Sequence, residues 1–399
     1  MMSLEKAIRL VEGEVSNDSI REPSPGYVVD GLTPKVVFYP RDVNELSIMM
    51  KNISKEGLKV IPMVNRSKLF LGNVPKGYDV ALDLGRVHRI IEPDLEEMVG
   101  VFGVSASLMD VRRELSRLNR RLPIDPPLSS RSSIGGVFSC NLFGPLAYTF
   151  MSTRDITLRV RAVMPDGTIV RWGTGMIKDV AGYNIKRLFI GSCGSLGIIY
   201  EVMTRIAAIP EVISVARLNG ELDLLIMRRL KPVGAVVING TTYLRFEGVK
   251  EEVEYRLGKL SEVSRSDVFY GGEADDLWYR LTSMDELFDN YTTVLKVITP
   301  QYVLGDALKG VRADYVVKMP MLGEAYLGFV GPLNLDFINS LRTRVSELGG
   351  YVIIMKAPLD VKRNIDVWGL QQNLDIMAKL KSVFDPGNTM CYGRFVGGI

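Results

Sequence analysis

Five glycine-bearing clusters fall between residues 135 and 197: Gly135-Gly136, Gly144, Gly173 with Gly175, Gly182, and the group Gly191, Gly194 and Gly197. Glycine lets backbone come close to a ligand and take up positive φ. Successive amides in such turns form concavities that hold an anion such as a pyrophosphate. Any one cluster alone reads more simply as a tight turn between short strands. No G-x-G-x-x-G follows a first strand and no G-x-x-x-x-G-K-[ST] occurs, so neither of those two phosphate sites is supported. Carriers of proton chemistry are scarce. The single histidine, His88, lies in Leu84-Gly85-Arg86-Val87-His88-Arg89 and reads as a surface or structural residue. The three cysteines, Cys140, Cys193 and Cys391, are far apart in sequence. They are too few for a four-thiolate centre and lack the spacing of a disulfide framework, so they read as thiols in a reducing compartment.

The elements that must position these residues alternate at first. Val36–Tyr39 reads as a strand, Asp42 as a helix N-cap, and residues 43–56 carry Val43, Leu46, Met49, Met50 and Ile53 at helical spacing. Strands are expected at 58–64, 80–84, 87–92 and 97–104, then a helix at 107–118. Pro123-Ile124-Asp125-Pro126-Pro127 is a rigid extended segment, and a short helix is expected after Ser133. Strands at 157–164 and 168–173 meet at the hairpin signal Asp166-Gly167, and a closing strand is expected at 198–205. The pattern shifts near Pro210. Strands and helices from 212 to 356 suggest a separate α+β unit with an antiparallel sheet, followed by a helix near 371–383 and a stop at Asp385-Pro386-Gly387.

The chain has 399 residues, 49 basic and 46 acidic. That balance, with no basic stripe, argues against a nucleic-acid partner. No run of apolar residues is long enough to span a bilayer, and the N-terminal stretch lacks the apolar core of a signal peptide. A cytoplasmic location is expected, with contact to the inner face of a membrane only through partners.

Taken together, the clusters resemble the flavin domain of the vanillyl-alcohol-oxidase-like, PCMH-type superfamily, and most nearly the E-type (second flavin) subunits of bacterial glycolate oxidases. The resemblance is carried by Leu122–Pro127, Ser133-Ile134-Gly135-Gly136, Asn141 with Gly144-Pro145, Arg154-Asp155, Asp166-Gly167, Lys178–Tyr183 and Gly191–Gly197. Near the C-terminus Asp366–Gly369, Phe384-Asp385-Pro386 and Gly393–Gly398 add to it. It implies an α+β fold: a two-subdomain FAD-binding domain over residues 1–208, a cap domain over 209–365, and a segment 366–399 returning to the FAD domain. It also implies FAD as cofactor. Ile134-Gly135-Gly136 at a helix start would aim free amides at the diphosphate. Asn141 would supply a side-chain amide, Gly182 would let the chain pass flat against the cofactor, and Ile198 would meet the adenine through its backbone. Pro126, Ser133, Gly144, Arg154, Asp155, Tyr183 and Gly197 complete the set. One stretch departs from the pattern. Where the family has a glycine-rich diphosphate loop, this chain reads Pro62-Met63-Val64-Asn65-Arg66-Ser67-Lys68-Leu69. Asn65 tolerates positive φ and Arg66 can pair with phosphate. Either these replace the glycines or the site is degenerate.

Oxidation of a 2-hydroxy acid needs a cation for the carboxylate and a base for the hydroxyl proton. Related catalytic subunits use cap-domain histidines, often with a metal; this chain has no histidine after His88, so no metal is expected. Tyr183, Arg245 and Arg394 remain as candidates. Three readings follow: an FAD subunit of a glycolate oxidase-like complex, relaying electrons beside a catalytic flavin subunit and an iron–sulfur subunit; a stand-alone flavin dehydrogenase of glycolate or D-lactate; and a flavin-free scaffold.

Overall fold

The computed structural model describes residues 9, 11, 13–174, 183–331, 333–369 and 372–399. Gly175 and Gly182, with most of the Lys178–Tyr183 motif, lie outside the described residues. The architecture is α+β, built on three main sheets.

The first is four-stranded, in the order Ile20–Arg21, Val36–Phe38, Val80–Asp83, Val60–Met63. The last three of these strands run parallel, which requires a crossover. The helix Val43–Lys55 supplies it. Asp42 caps that helix by accepting from the amides of Asn44 and Glu45, and Leu46, Met49, Met50 and Ile53 are buried on one face. Each such side chain contributes roughly 1.5–3 kcal/mol of burial. The segment Thr389–Cys391 lies along the free edge of the sheet: Val60 donates to Thr389 O at 2.8 Å and Cys391 donates to Val60 O at 2.9 Å.

The second sheet is five-stranded and antiparallel: Ile91–Asp94, Val99–Gly103, Ile198–Arg205, Thr157–Val163, Ile169–Trp172. The strand expected at 87–92 begins only at Ile91, because His88 turns through a φ of +51°. Its Nε2 hydrogen-bonds Glu201 at 2.8 Å. The helices Leu108–Arg117 and Ile134–Ser139 pack beside this sheet.

The third sheet has eight antiparallel strands, from Asp267–Tyr270 at one edge to Tyr351–Lys356 at the other. An apolar cluster joins it to the rest of the molecule: Phe288, Tyr326 and Met355 pack with Leu142 and Leu146, and Phe70, Cys140, Cys193 and Trp368 lie against them. Asp125 also crosses this boundary, accepting from Trp278 Nε1 at 2.9 Å. No helix among the described residues is long and apolar enough to cross a membrane.

Candidate functional site

A cleft enclosing about 920 Å³ of atom-free space opens between the first two sheets. Its walls are the turn after Val60–Met63, the start of the helix Ile134–Ser139, the turn 193–198, and Trp368, Cys391, Arg394 and Phe395 from the C-terminal segment. Of the residues singled out in the sequence, Pro62, Asn65, Arg66, Ser67, Lys68, Leu69, Ser133, Gly135, Gly136, Gly197, Ile198 and Arg394 line it.

The turn 65–68 has no glycine, yet it has the geometry of an anion cradle. Arg66, not Asn65, takes the left-handed conformation, with φ +58°. It is anchored from behind: its guanidinium lies 4.7 Å over the Tyr27 ring and 3.4 Å from Asp83. Asn65 donates from its side chain to Arg131 O at 3.3 Å. The amides of Asn65, Arg66, Ser67 and Lys68 donate to no protein acceptor among the described residues. Four neighbouring free donors around a left-handed residue form a concavity suited to phosphate oxygens.

Lys68 is nine-tenths buried and hydrogen-bonds the hydroxyls of Ser132 and Ser67. Among the described residues no carboxylate pairs with it. Burial therefore pulls its pKa down to about 8. A buried cation without an acid, facing a cleft, favours an anionic ligand.

The helix start differs from the expectation of free amides. Ile134 N donates to Ala106 O at 2.9 Å, Gly135 N to Val104 O at 3.0 Å, and Gly136 N to the capping Ser133 Oγ at 3.2 Å. The structure has already used these donors to dock the helix on the second sheet. What Gly135 provides is close packing, since a Cβ there would meet Val104 Cβ at 2.9 Å, whereas one on Gly136 would make only an ordinary contact with Lys68 Cδ at 3.5 Å. Gly194, which sequence reasoning left out of the site, has φ +74°, and a Cβ there would meet Pro62 Cγ at 3.1 Å.

The other predicted residues stand away from the cleft. Pro126 and Ile134 are buried in the interior. Gly144 packs on Asp125, whose carbonyl oxygen would be 2.1 Å from an added Cβ. Asn141 Oδ1 accepts from Thr153 Oγ1 at 2.8 Å and from the Arg154 amide at 3.1 Å. Arg154 Nε donates to Ile190 O at 3.1 Å, and Asp155 pairs with Arg187. These three brace the walls from outside.

None of the three catalytic candidates presents a free group to the cleft. Tyr183 is 96% exposed. Arg245, in the strand Thr241–Gly248 of the third sheet, is fully buried and held by Glu247 and Asp275, each at 2.6 Å. Arg394 lines the cleft, but its NH2 donates to Leu69 O at 2.8 Å and its NH1 lies 3.1 Å from Asp30. It clamps the turn after Leu69 to the C-terminal segment. Trp368 Nε1 donates to Arg394 O at 2.9 Å and extends the clamp. All three cysteines line the cleft as well, which their wide separation in sequence had concealed. No group of three or more His, Cys, Asp or Glu side chains among the described residues is placed to hold a metal ion.

Residues 34–173 match the family described as FAD binding domain. The chain is 23% identical to glycolate oxidase subunit GlcD of Bacillus subtilis, over 90% of this chain and 88% of that one. It is 30% identical to glycolate oxidase subunit GlcE of Escherichia coli, over 48% of this chain and 56% of that one. It is 29% identical to the mitochondrial D-lactate dehydrogenase [cytochrome] of Arabidopsis thaliana, over 47% of this chain and 32% of that one. The fold resembles a solved structure of alkyldihydroxyacetonephosphate synthase, with a TM-score of 0.70, 16% identity, and 97% of this chain and 85% of that chain covered.

Proposed function

We propose, from the premise that this chain is an FAD-binding oxidoreductase whose FAD binding domain includes residues 34–173, that it is the electron-carrying flavin subunit of a glycolate oxidase-like complex. The cofactor's diphosphate is assigned to the four free amides of the turn 65–68, with Lys68 and Arg66 as its counter-charges. FAD bound there supplies acceptance of a hydride and release of electrons one at a time. Lys68, Arg66 and the free amides bind and orient it; Trp368, Phe395 and the apolar cluster around Phe288 and Tyr326 exclude water.

The observation that carries the relay reading is that the two buried cations of the third sheet, Arg245 and Lys296, are already paired with acids. Arg245 is matched by Glu247 and Asp275, and Lys296 by Glu324 at 2.9 Å. His88 is bonded to Glu201 in the second sheet. No imidazole lines the cleft, so the usual base for a hydroxyl proton is missing. The partners on this reading are a catalytic flavin subunit and an iron–sulfur subunit. The test is steady-state turnover of glycolate and D-lactate with an artificial acceptor. The isolated yellow protein is expected to be inactive, and the reconstituted complex active. Turnover by the isolated chain above one per minute overturns the relay reading.

A second reading has one observation in its favour. Beside the first cleft a hollow of about 680 Å³ is lined by Arg66, Arg131 and Lys356 with Asp289. Burial lowers the pKa of Lys356, whose ammonium donates to Phe288 O at 2.6 Å. A small carboxylate seated there would make the chain a stand-alone 2-hydroxy-acid dehydrogenase, and the same assay detects it.

A further inference from the structure

The three thiols are unequal. Cys140 ends the wall helix Ile134–Ser139, and Cys193 projects from the turn between Gly191 and Gly194. The Cys193 amide donates to Ser139 O at 2.8 Å. That bond seats the turn directly against the residue that precedes Cys140. Each of the two thiols perturbs the titration of the other, which places their sulfurs close together. Both line the open cleft and both are only partly buried. Cys391 is buried, and its thiol is directed onto the Cys193 carbonyl at 3.5 Å.

We propose that Cys140 and Cys193 are a redox-active dithiol that closes to a disulfide across the cleft wall by exchange with a small-molecule disulfide.

The division of labour follows from the surroundings. The neighbouring Cys193 thiol, then the nearby Lys68 and Arg394 cations, favour the Cys140 thiolate against its burial. That makes Cys140 the attacking sulfur. It displaces one thiolate from the small disulfide and forms a mixed disulfide. Cys193 then loses its proton to solvent and attacks the Cys140 sulfur, releasing the second thiolate. Two protein thiols are oxidised and one small disulfide is reduced to two thiols. Cys391 is a bystander: burial pushes its pKa up to about 11. The inference concerns the thiols alone and does not depend on the flavin reading, so its test uses the protein as purified, with or without bound flavin.

The full chain is incubated with oxidised glutathione, desalted, denatured and titrated for thiols. The count is expected to fall from three to one, with the intact mass lower by two hydrogens and a peptide map joining 140 to 193. Cys391→Ser retains the closure. Cys193→Ser stops at a glutathione adduct on Cys140. Thermal melting of each variant, compared with the parent, confirms that it is folded. Three thiols remaining, a link that includes Cys391, or an adduct that persists in the parent overturns the proposal.

Discussion

The guanidinium of Arg66 lies 4.7 Å over the ring of Tyr27, so the left-handed residue of the cleft's amide turn is pinned from behind by an aromatic face. A glycine loop gains its shape from having no Cβ. Here an arginine accepts the strain of positive φ, about 1 kcal/mol, and the ring and Asp83 offset it.

Arg66→Ala removes both the anchor and a cation. It is expected to weaken FAD binding ~10-fold or more, the worth of a charge-assisted hydrogen bond. Titration of the apo protein, followed by flavin fluorescence, measures it. An unchanged affinity would mean the diphosphate does not meet this turn.

If the diphosphate sits on the turn 65–68 as proposed, Lys68 makes FAD binding depend on pH. Its folded pKa of about 8 lies below the ordinary 10.5, and a bound diphosphate favours the protonated form. Affinity is therefore expected to fall as pH rises through about 8, and Lys68→Met to flatten that profile. Without cofactor the dependence has the opposite sense. The unfolded chain holds this proton up to higher pH than the folded one, so apo stability rises between about 8 and 10.5. Denaturant titrations at several pH values test it.

Asp125 behaves in the other direction from an ordinary carboxylate. Burial pushes its pKa up to about 7 from 3.8, against the hydrogen bonds from Trp278 and the Leu146 amide. The folded protein holds this proton where the unfolded chain has lost it. Stability from this group is full below about pH 4 and is lost as pH rises through 7. Asp125→Asn keeps an acceptor for Trp278 and is expected to be no less stable than the parent at pH 8, with a shallower slope between pH 5 and 8 in thermal unfolding.

Lys381 is a buried cation shared by Ser195 O at 2.7 Å, Met390 O at 2.7 Å and Asp385 at 2.6 Å. It ties the helix Leu374–Phe384 to the glycine turn of the cleft. Lys381→Met leaves Asp385 buried and unpaired, which costs about 3–5 kcal/mol. Calorimetry is expected to show a clearly lowered melting temperature.

The sequence made the sheets readable where hydrophobic period and turn chemistry agree. The closing strand lies at Ile198–Arg205, as expected, and the crossover helix keeps its Asp42 cap. Much of the cleft lining was also legible, because the motif residues sit on the turns that build it. Side-chain partners were not. Arg245 reads either as a carboxylate binder or as a strand arginine paired with a surface acid, and its actual buried partners, Glu247 and Asp275, are visible only in the fold. The amides of Ile134 and Gly135 read as free until the carbonyls of Ala106 and Val104 are brought against them. Both depend on contacts between distant segments, which neither spacing nor propensity encodes. The three cysteines are the clearest case: 53 and 198 residues separate the neighbours in sequence, and one cleft joins them.

The strand-like segment Thr389–Cys391, lying on the edge of the first sheet, sets an order of events during synthesis. The ribosome delivers the turn 65–68 early, but the wall formed by Cys391, Arg394 and Phe395 does not yet exist. A nascent chain therefore carries a half-built cleft through most of its translation, with the edge of Val60–Met63 unpaired and open to mispairing. Chaperone protection of that edge would matter most in the interval before the C-terminal segment arrives.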